Sequence, residues 1–277
     1  MFPRVFSCEF FPPKTDDGVE RLRETRLALR AMQPAFFSVT FGAGGSTRER
    51  TFETVREIQR DDPIEVAPHI SCIGSTKAQL REIIKDYRDL GIRRLVALRG
   101  DLPSGTGDPG DFRFAWELVE FIRAETGDHF HIEVAAYPEF HPQARSPDAD
   151  IDNFARKIRA GANSGITQYF FNPDAYFRLV DALADRGVEV PVVPGIMPIT
   201  NHTQLARFSD ACGAEIPRWI RRPLEAFGDD IDSIRAFGVD VVTQLCDRLL
   251  AQGAPGLHFY TMNRASATLA IWNRIKH

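Results

Sequence analysis

The chain has 277 residues, of which 43% are hydrophobic, and a formal net charge of −4 at pH 7. A chain of this length can bury a large core without disulfide or metal support, and its slightly acidic balance favours neither nucleic acid nor an anionic membrane as a partner. The N-terminus shows no charged segment followed by a long apolar stretch, and no apolar run approaches membrane-spanning length. We therefore expect a soluble cytoplasmic protein.

Eight short apolar runs follow one another at fairly even spacing, and each is a candidate strand. They are residues 5–11, 36–41, 65–72, 93–100, 131–138, 166–171, 190–197 and 257–262. Because the runs are apolar on both sides, they are typical of parallel strands that are buried on both faces.

Between the runs, apolar residues recur at three- and four-residue steps, which predicts helices with one buried face. These segments are residues 17–32, 46–61, 75–91, 112–127, 150–165 and 174–187. Strands that alternate with helices predict parallel strands joined by right-handed crossovers. We predict a (β/α)₈ TIM barrel that forms a single domain over residues 1–277.

Two stretches depart from this alternation. Residues 100–111, after the fourth strand, are rich in Gly, Pro and Asp, as ligand-binding loops at the catalytic end of a barrel often are. The stretch 201–256 is too long for one crossover and predicts extra helices between strands 7 and 8, near residues 202–212, 216–227 and 229–252.

Residue types suited to binding or catalysis lie at or just past the C-terminal ends of the predicted strands. They are Glu9, Thr40, His69, Arg99, Asp101, Tyr137, His141, Gln168 and Tyr260. A (β/α)₈ barrel gathers the C-terminal ends of all its strands on one face, and that face carries the active site. The same pattern therefore predicts both the fold and the place of the site.

Glu9 lies inside an otherwise apolar strand, next to Phe10 and Phe11. One interpretation is a carboxylate that points into solvent at the strand end. The other is a carboxyl group held among aromatic rings, whose pKa desolvation would raise and which could then act as a general acid near neutral pH.

Asp101 follows Arg99 and Gly100 at the end of the fourth strand. It could serve the turn, because Asp is common after Gly in turns, or it could form an ion pair with Arg99. It could also be a fixed negative charge at the barrel mouth that influences a cofactor or stabilises a cation. Spacing alone does not separate these interpretations.

Other motif classes are weak in this sequence. No pair of histidines with metal-ligand spacing stands at a strand end, so we expect no metal site. The loop at residues 41–47 resembles a glycine turn that approaches phosphate closely, but Thr47 stands where a dinucleotide fingerprint needs glycine. His69, Tyr137 and His141 carry rings and hydrogen-bonding groups that suit a flat or phosphorylated ligand better than a metal ion. Lys157 could supply a cation for phosphate.

Eight motifs resemble, in order, those of the methylenetetrahydrofolate reductases. They are SCEFFPP (7–13), SVTFGAGG (38–45), PHISC (68–72), ALRGD (97–101), AAYPEFHP (135–142), ITQYFF (166–171), PGIMPI (194–199) and HFYTMNR (258–264). The resemblance runs from about residue 5 to about residue 275. It is closest to the short bacterial type, which lacks the regulatory domain of eukaryotic members.

The resemblance implies FAD in the barrel mouth and a site residue set that follows from the motif positions. FAD would be held by Thr40, His69, Arg99, Gly100, Asp101, Ala135, Tyr137, His141, Asp150 and Lys157. Glu9 would be the general acid, and Asp101 would lie near the pyrimidine edge of the flavin. Gln168 and Arg264 would contact the folate. Family members place a stacking aromatic ring after the PGIMPI motif, where this chain has His202.

The implied reaction is the reduction of 5,10-methylenetetrahydrofolate to 5-methyltetrahydrofolate with NADH or NADPH, which supplies methyl groups for methionine synthesis. Hydride would pass through the flavin, and the two substrates would take turns in one site, which gives ping-pong kinetics. Glu9 would protonate N10 to open the folate ring, and Asp101 would stabilise the resulting iminium cation. We also expect a homo-oligomer.

Two other enzymes could use the same scaffold, because a fold does not fix a function. One is a reductase that uses the nicotinamide directly without flavin, and the other is a pterin-binding methyltransferase. A binding module without activity would leave the acid and donor set at the strand ends without a purpose. The sequence does not distinguish NADH from NADPH.

Overall fold

The computed structural model describes residues 2–41, 45–101 and 110–275, and for residues 45–47 the backbone only. The two loops singled out in the sequence, 41–47 and 100–111, therefore lie partly outside the described residues. No helix within the described ranges is long and apolar enough to cross a membrane.

The strands form one continuous parallel sheet. They are β1 (Val5–Phe10), β2 (Phe36–Val39), β3 (Glu65–Ser71), β4 (Arg94–Leu98), β5 (His131–Ala136), β6 (Ser164–Thr167), β7 (Val192–Val193), β8 (Gly195–Ile196) and β9 (Gly256–Tyr260), in the spatial order β7-β6-β5-β4-β3-β2-β1-β9-β8.

β7 and β8 occupy one position in this sheet, because only Pro194 separates them. β7 pairs with β6 and β8 pairs with β9, and the His258 amide donates to the Pro194 carbonyl at 2.9 Å between these two pairings. The nine segments thus act as eight strands that close on themselves, which confirms the predicted barrel.

Helices cover the outside of the sheet. They are α1 (Asp16–Leu29), which a 3₁₀ turn (Arg30–Met32) extends, α2 (Gly45–Asp61), α3 (Lys77–Asp89), α4 (Ala115–Thr126), α5 (Pro147–Arg159), α6 (Pro173–Ala184), α7 (His202–Cys212), α8 (Arg218–Phe227), α9 (Ile231–Ala251) and α10 (Ala265–Trp272). The helices α7, α8 and α9 fill the long connection between β8 and β9, as the sequence predicts.

The sixth predicted strand ends well before its apolar run does. The apolar run at 166–171 predicts a strand, but β6 covers Ser164–Thr167 and the chain leaves the sheet at Gln168. Tyr169, Phe170 and Phe171 remain buried all the same, because they pack in the core beyond the strand end. An apolar run indicates that its residues are buried, and here the residues stay buried after the chain has left the sheet.

A network of charged and aromatic side chains fills the N-terminal end of the barrel. Arg94, the first residue of β4, donates to Glu133 at 2.6 Å and to Glu65 at 2.9 Å, and its guanidinium lies 4.6 Å from the ring centre of Phe36. Ser164 donates to Glu133 at 2.5 Å. These side chains occupy the N-terminal end, and the cavities described below lie at the opposite, C-terminal face.

Candidate active site

Two connected cavities lie at the C-terminal face. The central cavity has a volume of about 520 Å³ and lies over the strand ends, and the lateral cavity has a volume of about 270 Å³ and extends from it toward α5. Both cavities are lined by Leu98, Gly100, Asp101, Ala135 and Tyr137. The shared wall makes one two-lobed depression, large enough for an extended ligand.

Glu9 lies at the floor of the central cavity between two histidines. The distance from its Oε2 atom is 3.3 Å to Nε2 of His69 and 3.5 Å to Nε2 of His258. Both imidazoles are buried, and the Glu9 side chain is 18% exposed. Of the two interpretations that the sequence left open, the enclosed carboxyl group agrees with the structure and the solvated strand-end carboxylate is wrong.

The expected pKa of Glu9 is wrong in direction. Burial favours the neutral carboxyl, but the adjacent imidazoles of His258 and His69 together outweigh it, and the pKa of Glu9 is lowered to about 2. The sequence reveals the aromatic neighbours Phe10 and Phe11 but not the two imidazoles, which come from β3 and β9. In the free protein, Glu9 is therefore a carboxylate at neutral pH.

His258 is the functional residue that the sequence reasoning missed. A hydrogen bond of 2.7 Å joins its Nδ1 atom to Oγ of Ser7, and its side chain is wholly buried. β1 and β9 pair with Ser7 opposite His258 and Glu9 opposite Tyr260. His258 and Tyr260 are two positions apart on one strand, and this spacing could have indicated that both side chains face the barrel interior.

Both imidazoles keep an unused hydrogen-bonding atom. Within the described ranges, Nε2 of His69 and Nε2 of His258 are buried and make no aligned hydrogen bond, so their attraction to Glu9 is mainly electrostatic. A buried polar atom without a hydrogen bond is costly. These two atoms are available to a bound ligand or to a tighter contact with Glu9.

Lys157 provides a buried cation in the lateral cavity. Its Nζ atom donates to the Ala135 carbonyl, and burial lowers the pKa of Lys157 to about 8, against the opposing effect of the Asp150 charge. Asp150 accepts a hydrogen bond of 3.0 Å from the His141 amide, and the rings of Tyr137 and His141 lie 4.7 Å apart, edge to face. The lobe thus offers an ammonium group beside two rings, a combination suited to a phosphorylated ligand.

Arg99 and Asp101 do not form the ion pair that the sequence left open. Arg99 donates to the Gly100 carbonyl at 3.1 Å and to the side chain of Gln143 at 2.6 Å. Asp101 is exposed and lines both lobes. Gly100 has φ +82°, and a Cβ atom there would lie 1.8 Å from Oγ of Ser71, so only glycine fits this turn.

The remaining predicted site residues are distributed over two places. Thr40 and Gln168 line the central cavity, whereas Arg264 lines a third, neighbouring cavity of about 290 Å³. His202 begins α7 and is not among the residues that line these cavities, but Phe208 of the same helix lines the central one. The geometry favours Phe208 over His202 as the aromatic ring that faces the site.

Known proteins resemble this chain over nearly its whole length. The family model for methylenetetrahydrofolate reductase matches residues 3–276. The chain is 40% identical to the 5,10-methylenetetrahydrofolate reductase of Escherichia coli over 265 residues, which are 96% of this chain and 88% of that protein. It is 36% identical to methylenetetrahydrofolate reductase (NADH) 1 of Arabidopsis thaliana, over 96% of this chain and 47% of the plant protein.

Among solved structures, a Clostridium thermocellum protein that binds two copies of 5-methyl-5,6,7,8-tetrahydrofolic acid superposes with a TM-score of 0.67 at 15% identity, over 99% of this chain and 96% of that chain. At this identity the likeness concerns the fold alone. The family match and the bacterial relatives are far closer. The chain belongs to the methylenetetrahydrofolate reductase family.

Proposed function

We propose that this methylenetetrahydrofolate reductase is FAD-dependent and converts 5,10-methylenetetrahydrofolate to 5-methyltetrahydrofolate with NADH or NADPH, which supplies methyl groups for methionine synthesis. The observation that carries the proposal is the Glu9 carboxylate held between His69 and His258 at the floor of a two-lobed cavity. The cytoplasmic location and the homo-oligomeric state remain predictions.

The donor set fits a flavin dinucleotide. The central lobe is wide and largely apolar, the lateral lobe contains the buried Lys157 ammonium group, and the buried Nε2 atom of His69 has no aligned hydrogen bond from the described residues. FAD would be held by Thr40, His69, Arg99, Gly100, Asp101, Ala135, Tyr137, His141, Asp150 and Lys157. When bound, FAD supplies a hydride carrier between the nicotinamide and the folate, which gives ping-pong kinetics.

The proton for ring opening must reach N10 of the folate. Because the pKa of Glu9 is lowered to about 2, Glu9 is a carboxylate in the free protein and must gain a proton before it can donate one. A bound folate would exclude water from the floor, which disfavours the carboxylate and favours a proton on Oε2 of Glu9. Ser7, bonded to Nδ1 of His258, fixes the orientation of the imidazole beside Glu9.

Three further side chains would act on the bound substrates. Asp101 lines the cavity as an exposed carboxylate, and its negative charge would stabilise the iminium cation that forms when the ring opens. Phe208 would stack on the pterin or the nicotinamide, while Gln168 would hydrogen-bond the pterin edge.

The proposal predicts that the purified protein is yellow and releases FAD on heating. An absorbance spectrum from about 350 to 500 nm, recorded before and after anaerobic addition of NADH, together with an assay of 5-methyltetrahydrofolate formation, tests it. A colourless protein that still reduces methylenetetrahydrofolate would be a flavin-independent reductase. A colourless protein that instead transfers a methyl group from a pterin would be the methyltransferase.

The buried lysine predicts a pH dependence of FAD binding. The pKa of Lys157 is about 8, and a bound phosphate would stabilise the ammonium form, so binding above pH 8 requires proton uptake. We expect FAD affinity to fall about tenfold per pH unit above pH 8, and Lys157→Met to abolish this slope and weaken binding at pH 7. Titration of the apoprotein with FAD checks this, with the exposed Lys85→Met as the control. An unchanged slope in Lys157→Met would contradict the assignment.

A further inference from the structure

The Ser38 hydroxyl is a buried polar group next to Glu9. β1 and β2 pair with Glu9 opposite Ser38, and β2 and β3 pair with Ser38 opposite Ala67. Ser38 has no exposed surface, and its Oγ atom makes no hydrogen bond with any of the residues that the structure describes. A buried hydroxyl without a partner is costly, because it has given up its hydrogen bonds to water. Its presence here calls for a partner in another state of the site.

The alternation of side chains along the strands directs Ser38 and Glu9 to the same side of the sheet. Phe37 and Val39 pack in the core between the sheet and the helices, so Ser38, which lies between them, faces the barrel interior. Glu9 faces the interior as well, since it lines the central cavity. Paired residues of neighbouring strands lie about 4.8 Å apart, so rotation about the side-chain bonds of Glu9 is enough to bring its carboxyl group to the Ser38 hydroxyl.

In the free protein, two imidazoles and not the hydroxyl hold the Glu9 carboxylate. Its Oε2 atom lies 3.3 Å from Nε2 of His69 and 3.5 Å from Nε2 of His258. This attraction acts on the charged carboxylate and weakens when Glu9 gains a proton. A neutral carboxyl group still has a carbonyl oxygen that accepts a hydrogen bond, and a serine hydroxyl can donate one. Ser38 is therefore the group toward which a neutral Glu9 would turn.

The two hydroxyl groups that lie beside Glu9 on β1 and β9 already have partners. The Tyr260 hydroxyl donates to the Thr167 carbonyl at 2.7 Å, and a hydrogen bond of 2.7 Å joins the Ser7 hydroxyl to Nδ1 of His258. Burial raises the pKa of Tyr260 well above its ordinary value, so this phenol stays neutral in the pH range of an assay. β2 has no titratable residue. The titratable groups that face Glu9 are His69 on β3 and His258 and Tyr260 on β9, and the central cavity is also lined by Asp101, Tyr137, Tyr169 and Cys212.

We propose that Ser38 is a positioning residue for the general acid: in the folate complex its hydroxyl donates to Oε1 of the neutral Glu9 carboxyl group, so that the protonated Oε2 faces N10 of the folate. The inference rests on the proposed function, because it takes Glu9 as the acid that opens the ring. The proton moves from Oε2 to N10 as the bond between N10 and the methylene carbon breaks. The resulting carboxylate then returns to the imidazoles of His69 and His258, and Ser38 neither gains nor loses a proton.

The first test is the pH dependence of two activities in Ser38→Ala. A hydrogen bond to the neutral carboxyl group favours that form, so its loss lowers the pKa of Glu9 in the folate complex. We expect folate reduction to decline about 0.5–1 pH unit lower than in the wild type, and to be about threefold to tenfold slower above that midpoint. NADH oxidation by menadione, which needs no proton at N10, should be unchanged. The ratio of the two activities on one FAD-loaded preparation cancels the effect of Lys157 on FAD binding at each pH.

Infrared difference spectroscopy observes the hydrogen bond itself. The probe is tetrahydrofolate, which has no methyl group and so cannot return a hydride. Its addition to the FAD-loaded wild type should produce the C=O band of a neutral carboxyl group, and this band should be missing in Glu9→Gln. In Ser38→Ala the band should move to higher frequency, because a carbonyl group that loses a hydrogen bond vibrates faster.

Thr268→Val is the matched control. Thr268 on α10 is also wholly buried, and its hydroxyl likewise has no hydrogen bond with any described residue. Neither Thr268→Val nor Ser38→Ala removes a hydrogen bond of the free protein, so both should fold with nearly the wild-type free energy of unfolding. Thr268→Val should leave the activity ratio and the infrared band as they are in the wild type.

The results that would overturn the inference differ from those that would overturn the proposed function. An unchanged pH dependence in Ser38→Ala, a shift to higher pH, or an unmoved infrared band would show that the hydroxyl does not bond the neutral Glu9. An equal loss of both activities would make Ser38 a packing residue. In these cases the reductase assignment stands. If Glu9→Gln keeps the wild-type rate of folate reduction, Glu9 is not the acid, and the inference fails together with that part of the proposed function.

Discussion

Glu9→Gln is expected to reduce the rate of methylenetetrahydrofolate reduction by about 10²–10⁴-fold, the usual contribution of general acid catalysis. Glutamine keeps the size of the side chain but cannot carry an acidic proton to N10. Oxidation of NADH with an artificial acceptor such as menadione needs no proton at N10, so this activity should remain near the wild-type rate. Steady-state assays of the two activities on one preparation measure both effects.

A second carboxyl group at the same end of the barrel provides the control. Glu139 is half-buried, its pKa is raised by burial, and it accepts a hydrogen bond of 2.8 Å from the Glu215 amide. Glu139→Gln should leave both activities unchanged, because Glu139 does not line the central cavity. If Glu9→Gln slows both activities equally, Glu9 holds the site together and is not the proton donor; if it slows neither, the carboxylate has no role in the reaction.

Gly256→Ala is expected to destabilise the barrel strongly, through two separate costs. Gly256 has φ +123°, and a Cβ atom there would lie 1.7 Å from the Val5 carbonyl oxygen, in the register where β9 meets β1. The backbone conformation alone costs about 1–3 kcal/mol for alanine, and moving the two strands apart adds about 1–3 kcal/mol. The free energy of unfolding in urea measures the loss.

Gly253→Ala separates the two costs. Gly253 also has a positive φ, +94°, but nothing lies within 4 Å of a Cβ atom at that position. It should therefore show the conformational cost without the steric one, and a smaller loss of unfolding free energy than Gly256→Ala. Equal losses in the two variants would show that the close approach of β1 and β9 relaxes without cost.

The sequence alone determined the architecture, because the features that specify it are local. Apolar runs of strand length separated by helical periodicity predict the barrel, and the length of the 201–256 stretch predicts the helices α7 to α9. The short α10 (Ala265–Trp272) was not predicted, because it is apolar on most sides and has no clear helical stripe. The end of β6 was misplaced, because burial continues past the last paired residue.

The sequence also placed most of the site, because a barrel gathers its strand ends on one face whatever the loops do. Glu9, His69, Asp101, Tyr137 and Gln168 line the central cavity as the strand-end rule predicts. Their positions at the ends of predicted strands are enough to place them on one face, and no knowledge of contacts is needed.

Only the tertiary structure decided the electrostatics of Glu9. Its partners His69 and His258 are 60 and 249 positions away in the sequence, and their imidazoles reverse the pKa shift that the neighbouring phenylalanines suggest. The choice of Phe208 over His202 likewise depends on which face of α7 turns toward the cavity. The tertiary structure decides both features, and the sequence pattern does not contain them.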